Sequence, residues 1–233
     1  MNSPYSLVVF DWDGTLMDST HSIVAAIQAA CRDLDLDVPS ASQASWVIGL
    51  SLESALRRAV PQLTKSLMPR FLERYRVHYL LRDPELKLFD GIPELLAGLA
   101  ARNIPMAVAT GKSRVGLNRA LAATGLADVF QATRCADESF SKPHPAMLLE
   151  IMAELDVPAQ RIVMIGDTSH DLQMAANAQV GGVGVTYGAH NRPELEACAP
   201  NVIVDSVAAL RDWLDVHTEP SAAGARAGAG LGA

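Results

Sequence analysis

A chain of 233 residues is long enough for one large domain, or for a domain that carries an insert. With 49% apolar residues it should bury a sizeable core, and its formal net charge of −7 argues against a nucleic-acid partner, whose binders usually carry a basic excess. No stretch approaches the roughly 18 uninterrupted apolar residues of a membrane span, so no membrane partner is expected.

The opening "MNSPYSLVVF" has no basic start and runs directly into a strand at 7–10, which predicts no signal peptide. At the end of that strand, "DWDGTLMDS" places Asp11 and Asp13 two positions apart. Like charges so close require a cation, a covalent role or a solvated calcium-type loop. From about residue 19 to residue 86 only helical patterns occur. "SIVAAIQAACRDL" sets Ile23, Ile27, Ala30 and Leu34 on one face, and "SLESALRRAV" and "MPRFLERYRVHYLL" continue in kind. This predicts a helical insert over 19–86, a cap on a core made of 1–18 and 87–216.

Beyond the insert, "IPMAVA" (104–109), "IVMI" (162–165), "GVGV" (182–185) and "VIV" (202–204) read as buried strands. Helical segments separate them, with Pro93 near the start of the first and Gly125 as a stop for the second. Strand–helix alternation predicts the α/β class: a doubly wound parallel sheet, helices on both faces, and ligands at the carboxyl ends of the strands. The Gly/Ala-rich tail from 217 to 233 lacks large apolar residues and is expected to be disordered. Cys31, Cys135 and Cys198 have no metal-binding spacing and read as packed thiols of a cytoplasmic protein.

The polar residues at the strand ends form a pattern. Asp11 and Asp13 follow the first strand, and Thr110 in "VATGKS" follows the second. Lys142 in "SKPHP" precedes a helix, and Asp167 and Asp171 in "MIGDTSHDL" follow a later strand. In a parallel sheet these ends share one edge, so the residues should converge. Several carboxylates in one place call for a hard cation, and oxygen-only donors point to Mg2+. Magnesium keeps waters and favours a substrate phosphate. A small phosphate ester then fits, with Lys142, the Thr110 hydroxyl and the N–H groups of Gly111 and Lys112 around it. A carboxylate in line with the phosphorus can act as a nucleophile.

The order of these four motifs resembles the haloacid dehalogenase superfamily over nearly the whole chain, roughly residues 5 to 215, and the insert resembles its C1-type helical cap. The resemblance implies a Rossmann-like core, with Asp11 as nucleophile and Asp13 as general acid and base. Thr110 and Lys142 would bind the phosphoryl group. Asp11, Asp167 and the backbone carbonyl of Asp13 would ligate magnesium, and Asp171 would position the metal or its water. Asp13 sets the chain apart from dehalogenases and phosphonate hydrolases, which lack an aspartate there. "FDWDGTLMDS", "FDGIPELL", "ATGKS", "SKPHP" and "GDTSHDL" resemble the phosphoglycolate phosphatase group, although Trp12 departs from the Leu or Met common between the two aspartates. The implied substrate is 2-phosphoglycolate. A sugar phosphate, another small ester or pyrophosphate is the near alternative, and a phosphomutase the further one.

Other readings are weaker. A calcium loop counted from Asp11 would have Leu16 where Gly is needed and Ser22 where Glu is needed. A phosphoacceptor signalling domain shares the acidic residues, Thr and Lys, but not the helical insert. His144 and His170 read as solvent-facing loop residues. His21 could face the substrate from the cap hinge, or simply lie at the surface. Lys112 reads as a substrate contact or an exposed helix start. Trp46 and Gly49 read as a loop dipping into the site or a plain helix-to-helix turn. Arg57, Arg58, Arg70, Arg74 and Arg76 read as the wet face of the insert. Oligomeric state is not legible in the chain.

Overall fold

The computed structural model describes residues 4–82 and 86–220. Six strands, β1 (Leu7–Phe10), β2 (Met106–Thr110), β3 (Ala132–Cys135), β4 (Ile162–Gly166), β5 (Gly181–Val185) and β6 (Val202–Val204), form one parallel sheet in the order β3-β2-β1-β4-β5-β6. Side chains alternate across it. Val8 and Phe10 face the helices α5 (Ile92–Ala101) and α10 (Val207–His217), packing with Leu95, Leu99, Leu210 and Leu214. Leu7 and Val9 face α7 (Ala146–Leu155) and α8 (Ser169–Asn177), packing with Leu148, Ile151 and Met174. With both faces covered, β1 is buried throughout, so its sequence shows an unbroken apolar run instead of alternation.

The expected strands are present to within one or two residues. The added strand is β3, at the sheet edge, where Thr133 and Arg134 are half-exposed and "ATRC" offers no apolar run. Gly125 closes α6 (Arg114–Thr124) in the left-handed region at φ 71°, where glycine carries no Cβ penalty. Trp12 turns into the cluster that holds Phe10, edge-on to Phe130 at 6.4 Å.

Between β1 and α5 the chain forms α1 (Thr20–Asp33), α2 (Ala41–Trp46), α3 (Leu52–Ala59) and α4 (Met68–Arg82). They share an apolar cluster of their own, in which Ile23, Ile27 and Ala30 of α1 meet Leu56 of α3 and Phe71 and Tyr75 of α4. Its two connections to the sheet run side by side. Asp18 N–H donates to the Lys87 carbonyl at 2.9 Å, and Phe89 N–H to the Leu16 carbonyl at 3.0 Å. The expected return to the core at 87 follows residues 83–85, which lie outside the described residues.

The expected tail falls outside the described residues from 221 onward. Its first two positions belong to the fold instead: His217 ends α10, and Thr218 is buried and bridges Tyr5. Among the described residues no helix is long and apolar enough to cross a membrane.

Candidate active site

The chain winds outward from β1 to β3, then crosses back to lay β4 on the other side of β1. That reversal opens a crevice at the carboxyl ends of β1 and β4. Asp11 follows β1 immediately, Thr110 is the last residue of β2, Asp167 follows β4, and Asp171 sits in the first turn of α8. Lys142 reaches in from the loop before α7. All five are buried.

Lys142 Nζ lies 2.7 Å from Asp11 Oδ1 and 2.7 Å from Asp171 Oδ1. These contacts are close enough for ion pairs, yet none of the three atoms has an aligned hydrogen bond, and Asp11 Oδ2 is likewise buried without one. Asp167 is better held, taking the Thr15 hydroxyl at 2.8 Å and the Ala189 N–H at 2.7 Å. Asp171 accepts from both the N–H and the hydroxyl of Thr168, which caps α8 in return. Oxygens of Asp11, Asp167 and Asp171 all lie within 4.8 Å of one another.

One buried lysine cannot neutralise three buried carboxylates. Burial first, then repulsion from Asp171 and Asp167, raises the proton affinity of Asp11 well above the usual carboxylate range against the pull of Lys142. Burial, with the Asp171 charge behind it, pushes Asp167 up to about 7. Burial opposes the Lys142 charge, but Asp11 and Asp171 outweigh it and hold that ammonium above the usual lysine range. Hard oxygen donors, a deficit of positive charge and the unpartnered Oδ2 of Asp11 together fit a divalent cation such as magnesium. Asp171, expected only to orient the metal or its water, is itself a member of this carboxylate set.

Glycine makes room for these groups. A Cβ on Gly14, whose φ is +82°, would lie 2.1 Å from Asp167 Oδ2, and one on Gly188 would lie 2.2 Å from the same atom. A Cβ on Gly166 would meet the Asp171 Cβ at 2.2 Å. The "DG" and "GD" pairs of the sequence are thus space for carboxylates as much as turns.

The Asp13 carboxylate is apart from the metal-type cluster. It takes Lys112 Nζ on both oxygens at 2.9 Å and the Ser19 hydroxyl at 2.7 Å. Lys112 also donates to Tyr79 Oη of the insert at 3.0 Å. Lys112 is therefore not an exposed helix start: its ammonium pairs with Asp13 and Tyr79 at the edge of the cavity it lines. The Thr110 hydroxyl accepts from the Lys112 N–H at 3.2 Å. Asp11, Asp13, Thr110 and Gly111 open onto a cavity of about 850 Å³ between sheet edge and insert. His21 is exposed and does not line it.

The insert meets the sheet edge through residues 46–51. The Trp46 carbonyl accepts from His170 Nε2 at 3.0 Å and His190 Nε2 at 2.9 Å. The Trp46 ring stacks on His190 at 5.7 Å. His190 Nδ1 accepts the Ser169 N–H at 3.1 Å, which fixes that imidazole as the neutral Nε2–H form. His170 is thus buried, contrary to the expectation for a loop histidine, because the insert covers it; His144 is exposed as expected. Arg58 lies over the Trp46 ring at 4.2 Å, while Arg57 and Arg74 form exposed ion pairs with Glu53 and Asp33. Ser51 N–H donates to the Ser141 hydroxyl at 2.8 Å, next to Lys142.

Residues 8–185 match the family described as haloacid dehalogenase-like hydrolase. The chain belongs to that family. Among its relatives, a protein of Dickeya dadantii named "Probable phosphatase IndB" is 37% identical over 206 residues, 86% of this chain and 89% of that one. A phosphoglycolate phosphatase of Pectobacterium atrosepticum is 33% identical over 207 residues, 86% and 88% of the two chains. The crystal structure of a hydrolase from Pseudomonas syringae superposes with a TM-score of 0.83 at 25% identity, covering 91% of this chain and 99% of its own.

Proposed function

We propose that this haloacid dehalogenase-like hydrolase cleaves phosphate monoesters in two steps through an aspartyl-phosphate on Asp11. The observation that carries this reading is the Asp11 carboxylate itself. It sits at the carboxyl end of β1, buried, with Oδ1 paired to Lys142 and Oδ2 without a partner, beside two further carboxylates. That unpartnered Oδ2 is available for a bond to phosphorus.

In the first step an Asp11 oxygen bonds to phosphorus as the ester P–O bond breaks, and Asp13 gives its proton to the departing alkoxide. In the second step Asp13 takes a proton from water as the water oxygen bonds to phosphorus, and Asp11 leaves as a free carboxylate. Lys142, the Thr110 hydroxyl and the Gly111 N–H hold the phosphoryl oxygens, so positioning and charge neutralisation do most of the work. Asp11, Asp167 and the Asp13 carbonyl, with Asp171 beside them, are the groups to hold magnesium, which would supply neutralising charge when bound. The insert at 19–86 is the cap that sheds water from this chemistry.

The substrate is a small phosphorylated metabolite. The named Pectobacterium relative supports 2-phosphoglycolate, with a sugar phosphate, another small ester or pyrophosphate as alternatives. A phosphomutase would instead need a bisphosphorylated activator and release little phosphate. The family match leaves the phosphoacceptor signalling reading without support.

The test separates the two aspartates. An alkyl alcohol leaves badly without a proton, whereas p-nitrophenolate leaves well. Asp13→Asn should nearly abolish alkyl ester hydrolysis, yet give a burst of nitrophenolate approaching one equivalent per site. Acid-stable, hydroxylamine-labile phosphate should then accumulate on Asp11, and Asp11→Asn should show neither. No burst and no phosphoprotein from a folded Asp13 variant would overturn the division of roles.

A further inference from the structure

We infer that the preferred leaving group is a ring-bearing alcohol of about nucleoside size, not a two-carbon acid. The inference rests on the phosphate-monoester reading but not on 2-phosphoglycolate as substrate. Its basis is the volume and lining of the cavity above Asp11 and Asp13.

At about 850 Å³ the cavity lies in the range of sites that bury ligands of drug size. A water takes roughly 30 Å³ of liquid, so a space of this size holds on the order of tens of waters. A phosphate ester with two carbons beyond the ester oxygen displaces only a fraction of them. The rest would stay against an apolar lining that the core clusters leave partly open: Leu50, Leu52 and Leu72 are half-buried, and Leu80 and Val115 are exposed. Apolar surface left wet contributes nothing to binding, whereas a flat, carbon-rich body laid against it releases that water. Tyr75 also stacks with Tyr79 at 5.9 Å and 20°, giving this wall a pair of aligned rings.

Charge points the same way. The carboxylate of a two-carbon acid would fall a few bonds from phosphorus, within reach of Lys112. That ammonium already serves both oxygens of Asp13 and Tyr79 Oη. Recruiting it would strip the proposed acid and base of its partner, and a buried carboxylate without a cation is costly. Glu53, paired with Arg57 through Oε1, and Arg76 line the same cavity and offer an acceptor and a donor to the polar edge of a heterocycle.

Three substrates with the same primary alkyl leaving oxygen isolate the body of the alcohol: 2-phosphoglycolate, ribose 5-phosphate and uridine 5′-monophosphate, each assayed for phosphate release with magnesium. The expected result is a kcat/KM for uridine 5′-monophosphate at least tenfold above both others. Leu72→Trp, which fills the cavity from the half-buried face of α4, should remove that advantage. Should that variant unfold, the unmodified enzyme's ranking still decides. A kcat/KM for 2-phosphoglycolate equal to or above that for uridine 5′-monophosphate overturns the inference alone. Phosphate release from none of the three overturns the monoester reading beneath it.

Discussion

Asp13 is held from three sides: by Ser19 at the entry to the insert, by Lys112 from the loop after β2, and through Lys112 by Tyr79 from α4. Burial opposes charge on Lys112, but Asp13 and then Tyr79 more than offset it, so the ammonium persists across the working pH range. Removing Tyr79 Oη frees Lys112 to swing and so loosens the aim of the Asp13 carboxylate. Tyr79→Phe should therefore lower kcat on an alkyl phosphate by about five- to tenfold, while p-nitrophenyl phosphate, whose leaving group needs no proton, stays within twofold. Equal losses on the two esters would show that Tyr79 only supports the wall. The individual roles were unequally legible in sequence. Asp11, Asp13, Thr110, Lys142, Asp167 and Asp171 follow strands or precede a helix, and a parallel sheet brings such positions together whatever their separation. Lys112 lies one residue beyond Gly111, and nothing local says that its side chain turns back to Asp13, 99 residues away.

Among the elements, the insert was visible because its helices carry apolar residues at helical spacing, and Ile23 and Ile27 duly face its own cluster. How it seats on the sheet edge was not visible, because that contact is made by a loop carbonyl and two histidines 124 and 144 residues away. The edge strand β3 escaped for a related reason: with one neighbour and a half-exposed face it needs no apolar run. The seating depends on Gly111. A Cβ there would lie 2.5 Å from the Leu50 carbonyl oxygen and 2.6 Å from that of Gly49, and backbone cannot retreat as a side-chain tip can. Gly111→Ala should hold the insert off the sheet edge and lower kcat/KM at least tenfold. Its melting temperature should fall by no more than a few degrees, since neither the sheet clusters nor the insert cluster includes Gly111. Full activity in this variant would mean that loop 46–51 is free to shift without consequence.

For the molecule as a whole, the carboxylate cluster ties stability to pH, and the proposed magnesium site would tie it to the cation as well. Asp11 and Asp167 bind protons more tightly in the folded chain than in the unfolded one, Asp167 with a pKa of about 7. Their contribution to stability is therefore complete at low pH and is lost as pH rises through that value. Burial lowers the proton affinity of His170, which acts with the opposite sign. Melting of the metal-free protein alone thus mixes the two. The difference made by magnesium separates them, because the cation competes with protons for the carboxylates and not for the imidazole. Saturation at about a hundred times Kd adds roughly 2.7 kcal/mol, which for a chain of this size corresponds to roughly 5–10 °C. That rise should be near its full size at pH 8 and much smaller at pH 5, where protons already occupy the cluster. Asp167→Asn removes one of the repelling charges, so it should raise the metal-free melting temperature at pH 8 and abolish most of the magnesium effect. A magnesium shift of equal size at pH 5 and pH 8, or one retained in the Asp167 variant, would place the cation somewhere other than between Asp11, Asp167 and Asp171.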